Sequence, residues 1–138
     1  MPEQPKPGVI PHLCVDNGFA AIEFYVKALG AKEVMRVPHK DGKRLMHAEL
    51  IINGATVHLN DDFPEMRGGK SSTPKGLGGS PVTLHMNVPS CDEAVKKAVA
   101  AGAKITCEPM DAFWGARYAQ VTDPFGHVWA FMHPLTNG

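Results

Sequence analysis

The sequence predicts an α+β protein made of two paired βαβββ modules. Two alignments within the chain and one recurring order of elements carry this. The string HLCV at 12–15 lies on HMNV at 85–88, 73 residues on. GAK at 30–32 lies on GAK at 102–104, and Gly54 on Gly126, each 72 residues on. Around these anchors the order strand, helix, strand, strand, strand occurs twice, the mark of an internal duplication.

The elements follow in order. Residues 1–7, MPEQPKP, read as a Pro-rich, polar lead-in. Val9 to Val15 is a run of strand length, and Pro11 assigns it to an edge or an end, where a missing N–H is tolerated. Asn17 suits a helix N-cap; Phe19, Ile22, Val26 and Leu29 recur at helical spacing, and Gly30 ends the helix. KEVMRV at 32–37 reads as a strand and HKDGK at 39–43 as a turn. Residues 44–52 and 55–60 form two strands joined by Asn53-Gly54, a strong hairpin signal. In the second half, 82–88 is a strand and Ser90 to Glu93 an S-x-x-E capping box. Ala94, Val95, Ala98 and Val99 mark a helix ended by Gly102; strands follow at 104–109, 116–122 and 127–132. Module 1 therefore spans about 8–60 and module 2 about 82–133, within one domain of 138 residues.

Between them, residues 61–81 are rich in Gly, Pro and Ser, with no pattern of regular structure. So long a joint reads either as a solvated linker or as a functional segment, a flap over a site or a crossover between chains. GGK at 68–70 lacks P-loop spacing and gives no support for a nucleotide.

Composition narrows the function. Lys+Arg and Asp+Glu are 14 each, for a net charge of +0, so nothing points to a nucleic-acid partner. No apolar run reaches the roughly 18–20 residues of a membrane span. Cys14, Cys91 and Cys107 are odd in number and form no CxxC, which fits free thiols and a cytoplasmic protein. Seven histidines in so short a chain are the unusual feature.

Strand periodicity places many of them on one face. His12 alternates with Leu13; His47 and Glu49 alternate with Met46, Ala48 and Leu50; His58 alternates with Val57 and Leu59. His85 alternates with Leu84 and Met86, and Tyr118 and Gln120 with Ala119 and Val121. The polar face thus collects His12, His47, Glu49, His58, His85, Tyr118 and Gln120. An antiparallel sheet commonly leaves such a face to solvent. Imidazoles beside aromatic residues and a carboxylate suit a lined cavity better. Cys14 shares the face of His12, which leaves open a thiolate–imidazole pair or a small buried core thiol. Asp61 and Asp62 read as solvated loop carboxylates. Trp114 is either a ligand-stacking ring or a packing anchor.

Several segments carry a family resemblance: A-I-E-F-Y at 21–25, A-L-G-A at 28–31, the NG hairpin, F-W-G-A-R-Y at 113–118 and V-T-D-P-F-G-H-V-W at 121–129. Over residues 9–133 the chain resembles the vicinal oxygen chelate (VOC) superfamily, more narrowly its glyoxalase/bleomycin resistance branch and the PhnB-like subgroup. The resemblance implies one VOC domain whose βαβββ modules form a curved mixed sheet, and a homodimer whose modules make cups around small molecules. Metal enzymes of this superfamily take one ligand from the first and one from the last strand of each module. Aligned on the F-Y pair, the NG hairpin and D-P-x-G, those positions are Ile10, His58, Thr83 and Ala130. Only His58 suits a metal, so no metal is expected at that quartet and no cofactor is expected.

Two functions stay open. The first is a metal-free binder of a small molecule, in a cup lined by His12, His47, Glu49, His58, His85, Trp114, Tyr118 and Gln120. Drug sequestration is implied by the resemblance, although a trap for a cationic drug would be acidic. The second is a lyase, isomerase or dioxygenase, with His58 and Glu49 as catalytic candidates. It would use them as an acid/base pair or hold Zn or Ni at a displaced site with His12 and His85.

Overall fold

The computed structural model describes residues 7–135, so the lead-in expected over 1–7 lies, apart from Pro7, outside the described residues. Module 1 runs β1 (His12–Val15), α1 (Gly18–Leu29), β2 (Lys32–Pro38), β3 (Leu45–Ile52) and β4 (Ala55–Asp61). Module 2 runs β5 (Thr83–Asn87), α3 (Cys91–Ala101), β6 (Lys104–Ala112), β7 (Ala116–Thr122) and β8 (Val128–Pro134). Each module is a four-stranded mixed sheet of the same order, β1-β4-β3-β2 and β5-β8-β7-β6. In each, the first strand pairs parallel with the last and the other pairings are antiparallel. The duplicated α+β fold is thus present, strand for strand.

Local chemistry sets the boundaries. The Asn17 side chain accepts from the Ala20 N–H at 3.1 Å and starts α1; the Ser90 hydroxyl does the same for Glu93 N–H at 3.2 Å and starts α3. Asn53 (φ 50°) and Gly54 (φ 82°) both take the left-handed backbone that a two-residue hairpin turn requires. The 61–81 joint has structure of its own: a 3-10 turn at Pro64–Met66 and the short α2 (Pro74–Leu77). Its ordering comes from Asp62, whose carboxylate accepts from the Ser71 hydroxyl at 2.6 Å and the Ser72 N–H at 3.1 Å.

One hydrophobic core serves both modules. Leu13, Val15, Ala48, Leu50, Val57 and Leu59 enter it from the first sheet, and Met86, Ala119, Val121, Trp129 and Phe131 from the second. α1 and α3 pack on each other between them. The buried side of α1 centres on Ala21, Ile22, Phe24, Tyr25 and Ala28, and Val26 is exposed. The stripe read from spacing is therefore turned, because α1 packs on α3 and on module 2 as well as on its own sheet. Tyr25 donates its hydroxyl to Asp123 at 2.5 Å, and Trp129 Nε1 donates to the same oxygen at 2.9 Å. The other Asp123 oxygen accepts from the N–H groups of Phe125 and His127, each at 2.9 Å. The D-P-F-G-H-x-W segment is therefore a structural joint, with the Asp123 carboxylate fastening α1 to the β7–β8 turn.

Each sheet gives one face to this core and turns the other outward. The alternation slips at the start of β3. Between Val37 and Pro38 the β2–β3 register shifts, so Leu45 joins Ala48 and Leu50 in the core and Met46 stands outside, 42% exposed. Simple alternation assigns those two residues the other way round.

Candidate functional site

The outward face of module 1 brings together four of the residues read from the sequence. His12 on β1 is the direct partner of His58 on β4, and His58 the direct partner of Glu49 on β3. The ring centroids of His12 and His58 are 5.9 Å apart, those of His12 and His47 6.0 Å, and those of His47 and His58 4.6 Å. Each pair meets edge to face. His58 Nε2 lies 3.6 Å from Glu49 Oε1. Partial burial holds the His47 imidazolium below its usual pKa, and the neighbouring His58 and His12 lower it further.

Beside this cluster the 62–77 segment and the outward face of the sheet line an open cleft of about 1100 Å³. Its floor includes His12, Cys14, Met46 and Asn60. Its far wall includes Phe63, Met66, Arg67, Lys70, Ser71 and Leu77. The cleft is reached from the histidine cluster through His12, which belongs to both. Cys14 sits on the outward face, half-buried rather than in the core, and burial pushes its thiol up to about 11. No reactive thiolate follows from that environment. Asp61, read as a solvated carboxylate, is 2% exposed. It accepts from Gly18 N–H at 3.0 Å and from Leu45 N–H at 2.7 Å. Burial raises its carboxyl above the usual range, and those two backbone donors oppose the rise.

The remaining residues form a second group on the sheet of module 2. His85 stacks on Tyr118 with centroids 6.3 Å apart, and Tyr118 accepts from Gln120 Nε2 at 2.8 Å. Trp114, 53% exposed, meets Tyr118 edge-on at 6.0 Å beside the 97% exposed Phe113. Within one chain, then, the eight residues make two groups on two different sheets, and His12 alone of them lines the large cleft.

Comparison with known proteins bears on this geometry. The model of the Glyoxalase/Bleomycin resistance protein/Dioxygenase superfamily matches residues 9–131. The chain belongs to this superfamily. A Mycobacterium bovis protein, Mb0911c, is 52% identical over 130 residues, covering 94% of this chain and 85% of its own. The solved structure of the Arabidopsis thaliana gene product AT5G48480 is 30% identical, with a TM-score of 0.71 over 91% of this chain and 98% of its own. TioX from Micromonospora sp. ML1 shares the fold at 23% identity, with a TM-score of 0.68 over 96% of this chain and 99% of its own.

The metal that this superfamily's enzymes use does not fit here. The β5–β8 register sets Thr83 opposite Val128 and His85 opposite Ala130, so the module 2 positions offer one hydroxyl and a methyl group. Module 1 offers His58, with an isoleucine at position 10. The displaced set fares no better: His85 lies on the other sheet, and among the described residues no three His, Cys, Asp or Glu side chains are arranged to hold a metal ion. Sequence reasoning missed the other wall of the cleft, formed by Phe63, Met66, Arg67, Lys70 and Leu77. The signal present was the length of the joint, which raised the flap reading without naming a residue.

Proposed function

We propose that this superfamily member binds a small molecule, without a metal, in the cleft between the outward face of module 1 and residues 62–77. The cleft carries the reading: about 1100 Å³ is room for an organic ligand, and its lining sets Met46, Phe63, Met66 and Leu77 among polar and charged side chains. The edge-to-face imidazoles of His47 and His58 back His12 and fix one wall.

The reading extends to a homodimer. Both sheets end in strands with one open edge, and β2 and β6 expose Val34, Met35, Val37, Ile105 and Met110. A second copy that covers these would also give the Trp114, Tyr118, His85 and Gln120 group a partner surface. The PhnB-like branch rests on the sequence motifs at 21–25, 113–118 and 121–129; a PhnB protein from Bacillus cereus, at 13% identity and a TM-score of 0.67, shares the fold. A cytoplasmic location is supported by three free cysteines, and among the described residues no helix is long and apolar enough to cross a membrane.

A second reading, a metal-free lyase or isomerase, is favoured by one observation: the 3.6 Å approach of Glu49 to His58, a carboxylate beside an imidazole. A panel of metabolites and antibiotics screened by thermal shift tests the first reading, since a ligand of the native state raises its melting temperature. The binder predicts hits whose shift is lost in Met46→Trp, which fills the cleft. Hits that are turned over, with turnover lost in Glu49→Gln, would establish the enzyme. Hits untouched by Met46→Trp would remove the cleft as the site.

A further inference from the structure

Every charged group that lines the cleft can be asked what it is already bound to. The two carboxylates are committed. Asp61 is nearly fully buried and accepts from the N–H groups of Gly18 and Leu45. Asp62 accepts from Ser71 Oγ on one oxygen and from Ser72 N–H on the other. Arg44, at the edge of the same wall, is also spent: it donates to Asp41, Glu65 and the Asp62 carbonyl and lies over the Phe63 ring at 4.2 Å.

Arg67 and Lys70 differ. Both line the cleft, and neither has a carboxylate partner among the described residues. The charge of Arg67 reaches the cleft floor, where it opposes the upward shift of the Cys14 thiol. That thiol stays neutral near pH 7 and does not compete for the cation. A ligand entering the cleft therefore meets two uncommitted cations, Met46, Phe63, Met66 and Leu77 as apolar surface, and two carboxylates already engaged by backbone and serine donors. A cationic ligand would have to compete with Ser71 and Ser72 for Asp62 and would be repelled by Arg67 and Lys70. An anion finds the forked guanidinium donors and an ammonium.

Resting on the small-molecule reading above, we propose that the cleft selects an anionic ligand, a carboxylate or phosphate group on an apolar body, held by Arg67 and Lys70. The anionic group sits between these two side chains on the 62–77 wall, and the apolar body lies across Met46 towards His12.

The test is calorimetric titration with three probes: 3-phenylpropionate, phenyl phosphate and the neutral 3-phenylpropionamide. The expected result is binding of one or both anions, with the amide about 10-fold weaker or more, as for loss of a charge-assisted hydrogen bond. The stronger anion identifies the head group. Arg67→Gln and Lys70→Gln should each weaken the anion about 10-fold and leave the amide unchanged, and added salt should weaken the anion alone. Both residues are exposed, so the variants should melt as the wild type does. Equal affinity for acid and amide, anion binding intact in the Arg67→Gln/Lys70→Gln double variant, or no binding of any probe overturns the inference. If the probes bind without charge preference and Met46→Trp blocks them, the cleft reading stands and the anion assignment falls. If Met46→Trp leaves them bound, both fall.

Discussion

His47 and His58 are diagonal neighbours across β3 and β4, and their rings meet edge to face with centroids 4.6 Å apart. With His12 they place three imidazoles on one outward face, where protonation of one disfavours protonation of the next. Glu49, the direct partner of His58, is the carboxylate that opposes this repulsion.

The cluster gives stability a pH dependence. The folded chain holds His47 below its usual pKa, through burial first and then through His58 and His12. Between the folded and unfolded values the unfolded chain binds more protons, so stability rises with pH in that window. It is complete above the unfolded imidazole value of about 6.5 and lost as pH falls through the lowered one. The melting temperature should fall from about pH 7.5 to about pH 5.5, and His47→Asn should flatten that slope. An unchanged slope in the variant would remove His47 as its source.

Gly18 is required by contact with Asp61. A Cβ on Gly18 would lie 2.5 Å from Asp61 Oδ2 and 2.9 Å from Leu45 Cδ1. Gly18→Ala must push back the carboxylate that accepts from Gly18 and Leu45 N–H, so urea unfolding should show a loss of about 1–3 kcal/mol. Asp61→Ala leaves both buried donors without their acceptor and should cost more. A neutral Gly18→Ala would contradict this account.

The Tyr25 hydroxyl is fully buried and donates to Asp123, and burial together with that carboxylate raises its pKa well above the usual value. Tyr25→Phe removes one charge-assisted bond, worth about 1.5–3 kcal/mol. Asp123→Ala strands Trp129 Nε1 and the N–H groups of Phe125 and His127 at once, and should be the more damaging change in thermal melts.

The sequence made the module plan legible because local signals and tertiary context agree there: Asn17, Gly30, Asn53-Gly54 and Ser90 stop and start elements by their own backbone chemistry. Period-two alternation also found the His12, His47, Glu49 and His58 group, since strand faces are set by the pleat. It failed at Leu45 and Met46, where a register shift leaves no mark in residue type. It could not show that His85 sits on a separate face, because alternation fixes the side of a sheet and not how two sheets are disposed. Arg67 and Lys70 were hidden for another reason: the 62–77 segment is held by the Asp62 carboxylate reaching Ser71 and Ser72, and such bonds have no period to read.

Cys14 lines the cleft, and its thiol is pushed from 9.0 up to about 11, by burial first and then by Asp62. Its thiolate is thus scarcer near pH 8 than that of a free cysteine. Alkylation of native protein, read by peptide mass, should therefore be slow at Cys14 and fast after unfolding in urea. A ligand in the cleft should slow it further. Fast native labelling would mean that the floor of the cleft is more open to water than its half-buried thiol implies.

The histidine cluster also yields a prediction about metals. Ion binding needs ligand atoms aimed at one point, and among the described residues no three His, Cys, Asp or Glu side chains are so arranged. Re-aiming the imidazoles would sacrifice the packing that places His12 against the cleft. Protein purified without a histidine tag should therefore carry no stoichiometric zinc, nickel, iron or manganese by elemental analysis. EDTA should leave its melting temperature unchanged, and His58→Ala should shift the melt equally with and without EDTA. One equivalent of metal that disappears in His58→Ala would show that the imidazoles do rotate onto an ion, and would move the chemistry from the cleft to the sheet face beside it.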